Sequence, residues 1–208
     1  DDFHARHHDF LNVGVVRADG LVLLMSPATG ATGQPLAGHS LAERQYFKEA
    51  RDTGRAVFAP LILGTLRVRD ASNDEPIVVI AHPIRGPAGA FLGLALGAVP
   101  SASLRDILWR QRTRPEDVST LVDGDGRVIA TLDARLTVGA AVTDFIDPAV
   151  LEAPEAWTGF RFYPPADASL ESRLAMNLDL AVFQRVAPSR WGILVSFPAD
   201  RLHAAMVP

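Results

Sequence analysis

Residues 14–26 read GVVRADGLVLLMS, and residues 119–131 read STLVDGDGRVIAT. In each stretch an Asp-Gly pair separates two apolar runs, Asp19-Gly20 in the first and Asp125-Gly126 in the second. Such a pair signals a hairpin, because both residues of a two-residue turn need positive φ. The second pair follows the first by 106 positions, from 19 to 125. The surroundings recur in the same order. Residues 77–99, IVVIAHPIRGPAGAFLGLALGAV, hold two strand-forming runs joined by the turn-rich link Arg85-Gly86-Pro87-Ala88-Gly89. Residues 180–198, LAVFQRVAPSRWGILVSFP, repeat that strand–turn–strand layout. The repeat is one of layout rather than identity. It divides the chain into two α+β units of about 100 residues each, joined by a helix.

The segments between these runs complete the pattern. Residues 27–38, PATGATGQPLAG, are rich in glycine and proline and form a loop. Ser40 stands three residues before Glu43, a capping-box spacing that opens a helix over 41–54, closed by Gly54. Residues 56–69, AVFAPLILGTLRVR, form a further strand-rich run. Residues 101–117 read as the connecting helix, with Leu104, Ile107 and Leu108 at helical spacing and an end before Pro115. Residues 1–12 read as the end of a preceding helix, with Phe3, Phe10 and Leu11 on its apolar stripe. Residues 132–172 carry scattered prolines and only a short helical pattern around Asp147–Glu152, so the second unit keeps its sheet and loses most of its helical cover.

Composition sets the outer bounds. The 208 residues are 48% hydrophobic and 21% charged, which supports a folded core and argues against disorder. The net charge of −4 offers no basic excess for a nucleic-acid partner. The absence of cysteine excludes disulfide scaffolds, thiolate zinc sites and cysteine nucleophiles. The best apolar run, Ala90–Val99, is too short for a membrane helix and is interrupted by Gly93 and Gly97. The chain begins at Asp1 without a signal peptide, and reads as a mature exported protein or a domain of a longer one.

Candidate chemistry is sparse. His4, His7 and His8 have i, i+3, i+4 spacing, which suits a zinc or nickel site on one helical face and equally an exposed polar face. The glycines of 30–38 lack the Gly-Lys-Ser/Thr ending of a phosphate loop. The run Asp123-Gly124-Asp125-Gly126 places Arg127 at the third ligand position of a calcium loop, so a hairpin turn explains it better. There is no Gly-x-Ser-x-Gly elbow and no His-Glu-x-x-His. We therefore expect no catalytic residue, no metal and no cofactor. The segment with the clearest chemistry is Arg44-Gln45-Tyr46-Phe47. An arginine followed by two aromatics at a helix start over a sheet builds a small-anion site: the guanidinium grips a carboxylate, and the rings form a dry wall. The alternative is a solvated Arg44 above two core aromatics. His82, inside IVVIAHPI, reads as a pocket residue or as an ordinary strand residue.

These residues resemble those of a known family. The order GVVRADGLVLLMS, GHSLAERQYFKEARDTGRAVFAP, IVVIAHPIRGPAGAFLGLALGAV is similar to the membrane-distal unit of a double Cache domain, the extracytoplasmic sensor region of bacterial histidine kinases, diguanylate cyclases and chemoreceptors. Arg44-Gln45-Tyr46-Phe47 with Ala50 and Thr53-Gly54 resembles the family's Arg-x-aromatic-aromatic helix. Ala81-His82-Pro83-Ile84, Gly89 and Gly93 resemble its penultimate hairpin. Arg190-Trp191-Gly192 and Ser196-Phe197-Pro198 resemble the end of its membrane-proximal unit.

The resemblance implies two tandem PAS-like units, each an antiparallel sheet with flanking helices, on an N-terminal helix mostly missing here. Its boundaries are 1–12 for the end of that helix, 13–100 for the distal unit, 101–117 for the connecting helix and 118–202 for the proximal unit. It further implies a periplasmic location at an inner membrane, membrane helices outside both termini, a cytoplasmic output domain and a parallel homodimer in the parent. The ligand would lie in the distal unit, among Arg44, Tyr46, Phe47, His39, Phe58, His82 and Ala98. The family's amino-acid-binding branch has tyrosine where this chain has His39, Trp-Tyr where it has Tyr46-Phe47, and an aspartate near Ala98. Without that aspartate a buried α-ammonium is uncompensated, so the expected ligand is a small carboxylate other than an ordinary α-amino acid. Other readings remain open. A free-standing periplasmic binding or scaffold protein needs no membrane helices. A small hydrolase would use His39 or His82, and a cytoplasmic PAS-type domain with haem or flavin would absorb visible light.

Overall fold

The computed structural model describes residues 6–30, 33–63, 76–114, 117–142, 149–152, 157–162 and 178–198. The chain divides into two compact units, Asp1–Leu104 and Arg105–Pro208.

In the first unit, strands β1 (Asn12–Arg17), β2 (Val22–Ser26), β3 (Val57–Phe58), β4 (Ile62–Leu63), β5 (Pro76–Arg85) and β6 (Phe91–Pro100) form an antiparallel sheet. Its order is β2-β1-β6-β5-β3, with β4 also paired to β5. Helix α1 (Gln45–Thr53) covers one face. Side chains alternate across a strand, so Val16 of β1, Val79 and Ala81 of β5, and Leu94, Leu96 and Ala98 of β6 reach that same face. There they pack with Tyr46, Phe47 and Ala50 of α1 and with Leu36 and Leu41 of the loop. Phe47 is 1% exposed and meets Phe91 edge-on, with ring centroids 5.8 Å apart.

The second unit holds β7 (Val118–Val122), β8 (Val128–Thr131), β9 (Trp157–Phe162), β10 (Leu178–Arg185) and β11 (Gly192–Pro198), in the order β8-β7-β11-β10-β9. Helix α2 (Ser101–Gln111) precedes this sheet and one-turn helix α3 (Ala149–Glu152) follows β8. The core gathers Val122, Val142, Val150, Ala181, Phe183 and Leu194. Gly192 is required there, because a Cβ would meet the Phe183 ring at 2.2 Å.

The internal repeat is far clearer in the hydrogen bonds than in the residues. In the first hairpin the Gly20 amide donates to the Arg17 carbonyl (2.9 Å) and the Arg17 amide to Leu21 (2.8 Å). In the second, the Gly126 amide donates to the Asp123 carbonyl (3.1 Å) and the Asp123 amide to the Arg127 carbonyl (2.9 Å). Both are thus three-residue loops that close on a positive-φ glycine, 87° at Gly20 and 76° at Gly126. This corrects the expected two-residue turn: one extra residue lets a single glycine supply the left-handed step, and each hairpin carries a register shift beside the loop. The following loops repeat the same bonds. Leu41 donates to Gly20 and Val142 to Gly126, both at 2.7 Å; Gly38 donates to Val22 and Gly139 to Val128, both at 2.8 Å.

Those bonds explain where the helix starts. The capping-box spacing points to a helix from Ser40, yet α1 begins at Gln45 with Arg44 as its N-cap residue. Ser40 is bridged to Leu21, and the Leu41 amide is held by Gly20, so the loop is tied to the sheet edge until residue 44. Gly54 ends α1 as expected, at φ 66°. Helix α2 stops at Gln111 rather than running to Pro115, because Arg114 and Asp117 close a turn through mutual hydrogen bonds of 3.0 and 3.1 Å. Strand β9 has no counterpart in the sequence reading, which left residues 157–162 among irregular segments. Helical conformation ends at Arg6, so His7 and His8 are not on a helical face. His4, Phe3, Asp147 and residues 199–202 lie outside the described residues. No helix among the described residues is long and apolar enough to cross a membrane.

Candidate functional site

The site is built from the start of α1. The Arg44 backbone is extended (φ −70°, ψ 135°), and its carbonyl accepts from the Phe47 and Lys48 amides at 3.0 and 3.1 Å. No side chain caps this helix end. One turn on, Tyr46 and Phe47 point into the core while Arg44 stays exposed. Burial pushes the Tyr46 hydroxyl above its ordinary pKa, and the Arg44 guanidinium partly opposes that shift. The arginine is therefore close enough to act on the phenol electrostatically. Two surface ion pairs flank it. Lys48 holds Glu43 at 2.7 Å and keeps its carboxyl below the usual range; Arg51 does the same to Asp52 at 2.8 Å. Arg51 also sits 6.0 Å above the Phe47 ring.

The seven residues singled out by sequence fall into two groups. Tyr46, Phe47 and Ala98 share the covered face of the sheet, within one core cluster. Arg44 and His39 lie exposed at its rim. The His39 carbonyl accepts from Val22 at 2.9 Å, which pins its loop along the β2 edge. His82 and Phe58 lie apart from these. Ala81 faces the core, so His82, next along β5, faces the opposite side; Phe58 pairs with Ile80 and shares that side. His82 there lines a shallow cavity of about 460 Å³ with Phe10, Val15, Ile80 and Ala95. Its Nδ1 lies 3.1 Å from the Pro83 carbonyl. The structure thus groups Tyr46, Phe47 and Ala98 in one cluster, leaves Arg44 and His39 exposed on the segment that precedes α1, and sets His82 and Phe58 on the opposite face of the sheet.

Sequence reasoning missed Asn12. It opens β1, lies directly across from Ala98, and is 2% exposed, with no hydrogen-bond partner for Oδ1 among the described residues. A polar residue at a core-facing position of an otherwise apolar strand is the only signal it leaves in the sequence. In the second unit, a cavity of about 600 Å³ lies between α2 and residues 131–138, with Arg105, Asp106 and the half-exposed Trp109 on its wall. Arg112 stacks on the Trp109 ring at 3.3 Å. Asp123 accepts from the Asp125 and Arg127 amides through Oδ1, both at 2.9 Å, which spends that oxygen on the turn rather than on a cation. Among the described residues no group of three or more His, Asp or Glu side chains is placed to hold a metal.

No known family model matches the chain, and no curated protein matches it by sequence. Solved structures do match. The extracellular domain assigned to a histidine kinase, rpHK1S-Z16, is 15% identical, with a TM-score of 0.68 over 98% of this chain and 76% of its own. The ligand-binding domain of the amino acid chemoreceptor PctB of Pseudomonas aeruginosa PAO1, solved with L-Arg, is 19% identical, with a TM-score of 0.63 over 96% of this chain and 70% of its own. That of the chemoreceptor PctC from the same organism, solved with GABA, is 21% identical, with a TM-score of 0.57 over 93% of this chain and 76% of its own. Two antiparallel α+β units in series, with this likeness, give the chain the tandem PAS-like (Cache) fold of the extracellular ligand-binding domains of histidine kinases and chemoreceptors.

Proposed function

We propose that the chain is the extracytoplasmic ligand-sensing part of a membrane-bound receptor, and that it binds a small carboxylate in its first unit. The observation that carries this reading is the placement of Arg44: an exposed side chain at the start of α1, two residues before the buried Tyr46 and three before the buried Phe47. A carboxylate at that point meets a guanidinium, which suits bidentate pairing, at the positive end of a helix. Among the described residues of this unit no buried carboxylate is present to compensate an α-ammonium, so ordinary α-amino acids are poor candidates.

The module performs no chemistry itself in this reading. Ligand binding favours one arrangement of the loop over 33–44 and of α1, and the parent's membrane helices and output domain, a kinase or a cyclase, read the change. A ligand shifts such an equilibrium only by its differential affinity for the two states, about 1–3 kcal/mol in typical sensors. A thermal-shift screen of small carboxylates on the 208-residue chain tests the site. Carboxylates raise the midpoint, and Arg44→Ala removes the effect; a shift that survives Arg44→Ala places the ligand elsewhere.

A further inference from the structure

We propose that the second unit carries a ligand site of its own, the cavity between α2 and residues 131–138, and that this site takes an aromatic carboxylate. It is separate from the site at Arg44, because each described wall residue belongs to the second unit. The volume of about 600 Å³ falls within the range of small-molecule sites. One wall comes from α2. Arg105 and Trp109 stand four residues apart, and Arg112 follows three residues later, a spacing that sets them along one stripe; Leu108 is buried on the packed side. The other wall is the loop after β8, where Leu132, Leu136 and Val138 supply apolar surface.

The loop wall is held in place by its own hydrogen bonds. The Leu132 amide donates to the Ser119 carbonyl at 2.9 Å, and the Leu136 amide to the Asp133 carbonyl at 3.1 Å. Asp133, 5% exposed, accepts the Arg135 amide and Nε through Oδ1 at 3.0 and 2.9 Å, and Nη2 through Oδ2 at 3.1 Å. Its charge is thereby spent inside the loop. Two groups then set the ligand class. The first is Trp109, an indole left 55% exposed on the wall, where a covering ring removes apolar surface from water. The Arg112 guanidinium lies 3.3 Å from the centre of that indole and is not among the described wall residues, so the cavity meets ring surface that the guanidinium leaves open. A cation already on the ring disfavours a second one, while a planar arene stacks there. The second group is Arg105, whose guanidinium pairs with no carboxylate among the described residues and suits bidentate pairing with an acid. Arg105 and Arg112 together outweigh Asp106, so the charge of the site favours an anion.

Calorimetry on the whole chain with three matched probes tests this: phenylacetate, phenylacetamide, which keeps the ring and loses the charge, and cyclohexylacetate, which keeps the charge and loses the ring face. Phenylacetate binds, and each of the other two binds at least tenfold more weakly. Arg105→Gln and Trp109→Leu change exposed side chains, so both variants fold, as circular dichroism checks, and each weakens phenylacetate tenfold or more. Arg44→Ala leaves phenylacetate binding unchanged, which separates this site from that of the first unit; ringless small carboxylates, with nothing to stack on Trp109, report on the first unit alone. Absence of phenylacetate binding, equal binding of either analogue, or binding that survives Arg105→Gln or Trp109→Leu unchanged overturns the proposal. So does loss of phenylacetate binding in Arg44→Ala, which would assign the aromatic acid to the first unit.

Discussion

At the residue scale, Tyr46 joins the core to the candidate site. It is 8% exposed, and burial raises its pKa while Arg44 lowers it. A raised folded-state pKa means the native chain holds the phenolic proton more tightly than the unfolded chain. The corresponding stability is intact below the ordinary value of about 10 and is lost as pH climbs through the folded value. Alkaline unfolding therefore contains a component that Tyr46→Phe removes, measured as the pH midpoint of the circular dichroism signal. Arg44→Ala moves the Tyr46 titration to still higher pH, read by ultraviolet difference absorbance. The aromatic pair and its arginine were legible in the sequence because their spacing is local. Asn12 was not, since an orphaned acceptor is a property of burial and of neighbours distant in the chain.

At the element scale, the two hairpins carry the fold. Gly20 and Gly126 both adopt positive φ, and a Cβ at either would meet a neighbour, the Ala42 backbone within 2.7 Å or Leu151 Cδ1 at 2.5 Å. Gly20→Ala and Gly126→Ala each destabilise their own unit by about 1–3 kcal/mol, the strain of a non-glycine residue in that region. Urea melts of both variants check this, and a loss below about half a kcal/mol contradicts the loop geometry. The Asp-Gly pairs and the long strands β5 and β6 were readable because turn chemistry and two-residue periodicity act locally. The start of α1 was misread because Ser40 is engaged by Leu21, a contact made across the hairpin. The extra loop residue and strand β9 escaped for a related reason: pairing with β10, rather than any strong local pattern, defines Trp157–Phe162 as a strand.

At the scale of the whole molecule, each unit has its own sheet and its own apolar core. Two cores of this kind unfold as separate transitions unless something couples them. The chain supplies its own reporters: Trp109, Trp157 and Trp191 all lie in the second unit, and the chain has 3 tryptophans in all. Tryptophan fluorescence therefore follows the second unit, and far-ultraviolet circular dichroism follows both. Gly20→Ala lowers the first transition seen by circular dichroism and leaves the fluorescence melt in place. Coincident melts that move together would show a single cooperative body instead.

The separation of units also locates the ligand. A carboxylate present at about 100 times its dissociation constant adds roughly 2.7 kcal/mol to the state that binds it, which raises a melting midpoint by several degrees. The most direct measurement is a melt of the whole chain followed by both signals, with and without the best-binding small carboxylate, in the unsubstituted chain and in Arg44→Ala. The account predicts a rise in the circular dichroism transition of the first unit, absent in Arg44→Ala, with the tryptophan transition unmoved. A rise that persists in Arg44→Ala, or that appears only in the tryptophan signal, contradicts it.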